Sequence, residues 1–176
     1  MQVIFEAHST TLDNEANHAS GWNDVELSQT GIEQAKELSK RYNLADFDAV
    51  FTSDLQRAYE TARIAFPKID SKKLFIDWRL RECNYGDLEQ SPKDELDNRK
   101  LDYVTKPFPG GESYADAMQR MKSFIDDLRE MPYKNVIIFG SRATHYGLDV
   151  WIDGKSIEDC LNHKFSWQPG WHYELQ

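Results

Sequence analysis

The sequence has no long hydrophobic run. Its longest apolar stretch, Val136-Ile137-Ile138-Phe139, has the length of a strand and falls far short of the ~18 residues a membrane span needs. The first residues, MQVIFEAHS, hold neither a basic segment nor an apolar stretch ending in small residues, so no secretory leader is expected there. Cysteine is scarce. Cys83 and Cys160 show no CxxC spacing, which argues against a structural zinc site and leaves a single disulfide open. Two thiols in a reducing cytoplasm is the simpler reading, and a cytoplasmic location is expected. Positive charge is also in deficit: 21 Lys and Arg against 30 Asp and Glu leave a net charge of −9. No nucleic-acid or membrane partner is expected, because phosphate backbones and anionic lipids require a basic face. There is no Walker-type loop, no HExxH and no Asp-rich cluster.

What is present describes a globular α/β chain. Its 176 residues suit one domain, 1–176, and a 40% hydrophobic content supports a packed core rather than disorder. Gln2–Ala7, Phe47–Phe51, Leu74–Ile76 and Asn135–Phe139 are short and rich in β-branched or aromatic residues, which predicts strands; Gly170–Leu175 reads as an edge strand. Helical spacing predicts helices over Ser28–Tyr42, Ser53–Phe66, Ser113–Leu128 and Arg142–Trp151. Ser53-Asp54 offers cap chemistry for the second of these. Strands alternating with helices argue for a mostly parallel sheet. Segment 86–111 breaks the rhythm with Pro92, Pro107, Pro109 and Gly110-Gly111, and reads as a covering lid with one short helix. Trp151, Trp167 and Trp171 read as core and edge packing, and His145 as a helix-surface or partner-packing residue. The aromatic C-terminal stretch either closes the sheet or forms a homodimer interface.

In open α/β sheets ligands bind beyond the carboxyl ends of the strands. The residues there are His8-Ser9-Thr10-Thr11 after the first strand, Thr52-Ser53-Asp54 with Arg57 after the second, and Gly140-Ser141-Arg142 after the strongest. Arg79-Leu80-Arg81-Glu82 opens the insertion. Together they offer one imidazole, hydroxyls, free helix N-terminal amides, arginines and one carboxyl group. Amides and guanidinium groups suit the oxygens of a tetrahedral oxyanion. Imidazole can act as a covalent nucleophile and Glu82 as a general acid. This inventory allows metal-free phosphoryl transfer through a phosphohistidine, with no cofactor.

These segments resemble the histidine phosphatase superfamily, also called phosphoglycerate-mutase-like. His8-Ser9-Thr10-Thr11 with Asn14 is similar to its Arg-His-Gly-x-Thr-x-x-Asn signature. Ser20-Gly21-Trp22-Asn23-Asp24, with Leu27-Ser28 and Gly31, resembles its glycine–tryptophan–aspartate loop and first helix. Thr52-Ser53-Asp54-Leu55-Gln56-Arg57-Ala58 with Thr61-Ala62 resembles the second-arginine motif. Arg79-Leu80-Arg81-Glu82 with Tyr85-Gly86-Asp87 resembles the acid segment, and Phe108-Pro109-Gly110-Gly111-Glu112-Ser113 the loop that opens the next helix. The resemblance implies a three-layer α/β/α sandwich. It implies His8 as the phosphorylated nucleophile, Arg57 as a phosphate clamp, Glu82 as proton donor and Asn14 as a phosphate-pocket contact.

Three positions depart from the pattern. Ala7 stands where the signature arginine should be, Ser9 where its glycine should be, and Ser141 where the second histidine should be. Ser141 can still donate one neutral hydrogen bond, and Arg142 beside it can supply a guanidinium. The expected function is hydrolysis of a small phosphorylated metabolite by a histidine-type acid phosphatase, with weakened activity. The short, charged lid favours water over transfer back to substrate. The alternatives are a degenerate or inactivated member that binds a phosphorylated ligand or partner, and, behind it, a phosphoglycerate mutase.

Overall fold

The computed structural model describes residues 1–163, 165, 166 and 168–176. Trp167 lies outside the described residues. Five strands form one sheet: β1 (Gln2–Ala7), β2 (Ala49–Thr52), β3 (Leu74–Ile76), β4 (Asn135–Gly140) and β5 (Trp171–Glu174), in the order β3-β2-β4-β1-β5. All pairings are parallel except β1 with β5, which closes one edge antiparallel.

Parallel strands need cover on both faces, and β4 shows how the sequence provides it. Val136 and Ile138 pack with Phe124, Ile125 and Leu128. Ile137 and Phe139 point the other way, among Leu38, Ala62 and Phe66. The period-2 alternation of one apolar run thus fills two cores. On the first face lie α5 (Tyr114–Arg129) and α6 (Arg142–Trp151); on the second lie α2 (Gln29–Arg41) and α3 (Gln56–Ala65). The chain is a three-layer α/β/α sandwich, as expected. Two short helices were not expected from the sequence: α1 (Leu12–Glu15) and α7 (Ile157–Asn162).

The lid segment carries one α-helix, α4 (Lys93–Arg99), between two 3-10 turns. Leu96, Tyr103 and Phe108 anchor it in a separate cluster with Tyr85, Tyr114 and Tyr146. The Tyr103 and Phe108 rings stack at 3.9 Å.

Two local expectations need correction. Ser53 and Asp54 do not cap α3. The helix starts at Gln56, Asp54 is drawn off to Arg81, and the Gln56 amide is capped from outside by Asp24 Oδ1 at 2.7 Å. His145 is not at the surface. Its ring stacks on Phe5 at 5.3 Å and meets Trp171 at 4.6 Å, and both ring nitrogens are buried without a hydrogen-bond partner. Cys83 and Cys160 are both buried free thiols.

Candidate active site

The parallel register brings the loops together. Ala7 lies opposite Gly140, so His8 and Ser141 leave the sheet side by side; Thr52 lies opposite Phe139, so Ser53 leaves next to them. The His8 amide continues the ladder, donating to Gly140 O at 2.8 Å.

The His8 imidazole is held by Nδ1, 2.8 Å from Ser9 O. A carbonyl only accepts, so the proton belongs on Nδ1 and Nε2 carries the free lone pair. Burial, then the positive charges of Arg57 and Arg142, push the imidazole down to about 3. His8 is therefore neutral at ordinary pH. Ser9 N donates to Thr61 Oγ1 at 3.0 Å, and that hydroxyl donates on to Arg57 O at 2.7 Å. One threonine thus joins the loop after β1 to α3.

Arg57 is a buried arginine on the first turn of α3. Its Nη1 donates to Asn23 O at 3.0 Å and its Nη2 to Gly21 O at 2.7 Å. The loop that also supplies Asp24 thus fixes the guanidinium in one rotamer. Asn14 lies on α1; its Oδ1 accepts from Thr11 N at 3.1 Å, which leaves the Nδ2 amide as its donor.

Glu82 sits at the N-terminus of α6. Oε1 accepts from Ala143 N at 3.1 Å and Cys83 N at 2.8 Å; Oε2 accepts from Arg142 N at 3.1 Å. A carboxylate is at home there because the first amides of a helix lack partners within it. The segment around Glu82 is gathered by Arg120 of α5, whose guanidinium donates to the carbonyls of Arg79, Arg81 and Glu82 at 2.5, 2.9 and 2.9 Å. Glu112 pairs with the same guanidinium at 2.7 Å.

Glu82 overturns one expectation. Several of the helix-end amides read as free for an anion are already occupied. The Arg142 and Ala143 amides of α6 go to Glu82 and that of Gln56 goes to Asp24; in the loop after β1, Thr10 N goes to Gln34. Donors for a bound oxyanion must come mainly from side chains. Ser141 Oγ is one: it is buried with no hydrogen-bond partner. Arg142 is another; its Nη2 meets Asp97 of α4 at 3.2 Å.

A cavity of about 1070 Å³ runs along these groups. His8, Arg57, Glu82, Asn14, Ser141 and Arg142 all line it, with Lys93, Asp97 and Lys100 from the lid side. The six residues singled out in the sequence thus share one space. Sequence reasoning gave no role to Thr61, Asp24 or Arg120. The first two stood inside recognised motifs, while Arg120 had no local signal because its partners are backbone carbonyls. Among the described residues, no three His, Cys, Asp or Glu side chains converge to hold a metal ion.

Fold and site place an imidazole at a strand end in one cavity with two arginines and a carboxyl group, and comparison identifies the group. The chain belongs to the histidine phosphatase superfamily, whose branch 1 model matches residues 3–163. It is 27% identical over 163 residues to a Hydrogenobacter thermophilus protein provisionally named phosphoserine phosphatase 2, covering 88% of this chain and 80% of that one. It is 30% identical over 176 residues to the 2,3-bisphosphoglycerate-dependent phosphoglycerate mutase of Streptococcus gordonii, covering 89% and 76%. Two other such mutases match at 38% and 37% identity, but the chain spans only 44% of each. The crystal structure of the alpha-ribazole phosphatase from Shigella flexneri superposes with a TM-score of 0.79 at 26% identity, over 91% of this chain and 83% of that one.

Proposed function

We propose that this protein is a metal-independent phosphomonoester hydrolase that works through a phosphohistidine on His8 and acts on a small phosphorylated metabolite rather than on nucleic acid or a membrane. The observation that carries this reading is the His8 ring: Nδ1 tied to a carbonyl, Nε2 unprotonated, in a cavity shared with a locked arginine and a carboxyl group.

In the first step His8 Nε2 attacks phosphorus while the bond to the leaving oxygen breaks, and Glu82 gives that oxygen its proton. In the second, Glu82 takes a proton from water, the resulting hydroxide attacks phosphorus, and the P–N bond breaks to release inorganic phosphate. Arg57, Arg142, Ser141 Oγ and Asn14 Nδ2 face the equatorial oxygens, where charge is spread in transfer. Denaturing quench at alkaline pH, where a phosphohistidine survives, during turnover of an aryl phosphate labelled in its phosphoryl group should trap label on the wild type, and His8→Ala should abolish both label and turnover. Equal turnover by wild type and variant, or none by either at any pH, overturns the proposal.

A second reading has its own observation. Ala7 and Ser141 remove two donors that the family pattern supplies, and each lost transition-state donor costs about 3–4 kcal/mol. A site so depleted can bind a phosphorylated ligand with negligible turnover. Tight vanadate binding with no burst of phosphoenzyme is the outcome that selects this reading.

A further inference from the structure

Resting on the functional reading above, we propose that Asp97 of the lid helix is a positioning residue: it holds Arg142 at the cavity wall as the second guanidinium of the phosphate site, and so ties phosphate affinity to the seating of the lid.

The need for a second guanidinium arises at Ala7, whose side chain donates nothing, and from the occupied amides at the helix ends. Arg142 is placed to meet it. Its backbone is pinned by the bond from its amide to Glu82 Oε2, so only the side chain is free to choose a direction. Asp97 is the one hydrogen-bond partner of that side chain among the described residues. The bond is single-pronged and, at 3.2 Å, longer than the ~2.7–2.9 Å of a strong charge-assisted pair. The rest of the guanidinium fork remains available to a ligand. Arg57 is the contrast, with two short bonds to carbonyls that fix it whether or not a ligand is present.

Asp97 does not turn the wall negative. Its other oxygen takes Lys93 Nζ at 2.6 Å, so Lys93, Asp97 and Arg142 together are net positive. Lys100, also on this wall, adds further positive charge. The tether joins elements far apart in sequence: α4 enters the aromatic lid cluster through Leu96, and α6, which Arg142 opens, enters it through Ala143 and Tyr146. Held this way, the guanidinium loses less freedom when phosphate arrives.

Calorimetric titration with inorganic phosphate tests this on the full chain. Wild type should bind and Arg57→Ala should lose most of the affinity. Asp97→Asn should weaken binding about tenfold, the size of one charged hydrogen bond, and Asp97→Glu should recover most of it. In an Arg142→Ala background, Asp97→Asn should change nothing further. With an aryl phosphate, Asp97→Asn should raise KM more than it lowers kcat. Circular dichroism separates loss of binding from loss of fold, and Asp97→Ser replaces Asp97→Asn if that variant does not fold. Unchanged or tighter binding by Asp97→Asn, or an equal loss with Arg142 absent, overturns the assignment and leaves the functional reading standing. Failure of wild type to bind phosphate overturns the functional reading first, and this inference with it.

Discussion

The hydroxyl of Ser141 is buried beside His8 in the sheet register and has no hydrogen-bond partner. A phosphate oxygen would satisfy it with one neutral bond. An imidazole there would supply a stronger donor and, when protonated, a charge, at a position that lines the cavity. Ser141→His should therefore raise kcat/KM for an aryl phosphate by about 10²-fold. No gain would show that the missing imidazole is not what limits the site. At this scale the sequence was informative about who is present and silent about how they are held. His8, Arg57 and Glu82 could be named from their motifs. That Arg57 would be locked by the carbonyls of Gly21 and Asn23, or that Glu82 would take the amides at the start of α6, could not. Those bonds are to backbone atoms, which every residue has and which only the fold brings near.

The loop after β1, which carries His8, depends on how closely α2 approaches it. A Cβ built on Gly31 would lie 1.9 Å from the Thr10 carbonyl oxygen, which also accepts from Ser28 N at 3.0 Å. Only a residue without a side chain lets the helix start that close to the loop after β1. Gly31→Ala should destabilise the fold by about 1–3 kcal/mol through overpacking and should shift the loop that carries His8, lowering kcat/KM as well. An unchanged melting temperature would show that this approach sets nothing. Elements with a strong period were legible. The alternation in β4 and the apolar stripe of α5 placed them within a residue or so, and α6 emerged with the expected bounds. The short α1 and α7 were not, since neither spans two full turns and neither shows a period. The misread start of α3 has the same root: Ser53 and Asp54 have the right chemistry for a cap, but the cap came from Asp24, thirty-two residues earlier in the chain.

Taken whole, the molecule carries two imidazoles that resist protonation. His8 is pushed down to about 3, and burial holds His145 below its ordinary value despite Asp149 nearby, with Lys155 opposing a further charge. Unfolded imidazoles take up protons near pH 6.5. Below that pH the unfolded chain binds protons that the fold refuses, so stability falls as pH falls through about 6.5 and continues to fall until the folded values are reached. Melting temperatures measured from about pH 7.5 to about pH 5 should show this loss. His145→Phe should flatten the slope, because phenylalanine keeps the stacking against Phe5 and Trp171 without the titrating nitrogens. An equal slope in that variant would assign the acid sensitivity elsewhere. The net charge of −9 also takes on a local meaning: in a protein with excess negative charge, two guanidinium groups are tied in place at one cavity, one by the loop and one by the lid.

The parallel pairing of β4 between β1 and β2 has a consequence for how the molecule comes to exist. His8 and Ser141 are separated by most of the chain and become neighbours only when β4 inserts between two strands formed from its first third. Closing so long a loop must precede the contacts that reward it, which makes this pairing slow. No folding intermediate that lacks β4 in the sheet can hold an oxyanion between these two residues. A ligand seated there therefore stabilises the finished fold against every partly folded form, and the site serves as a marker of complete folding.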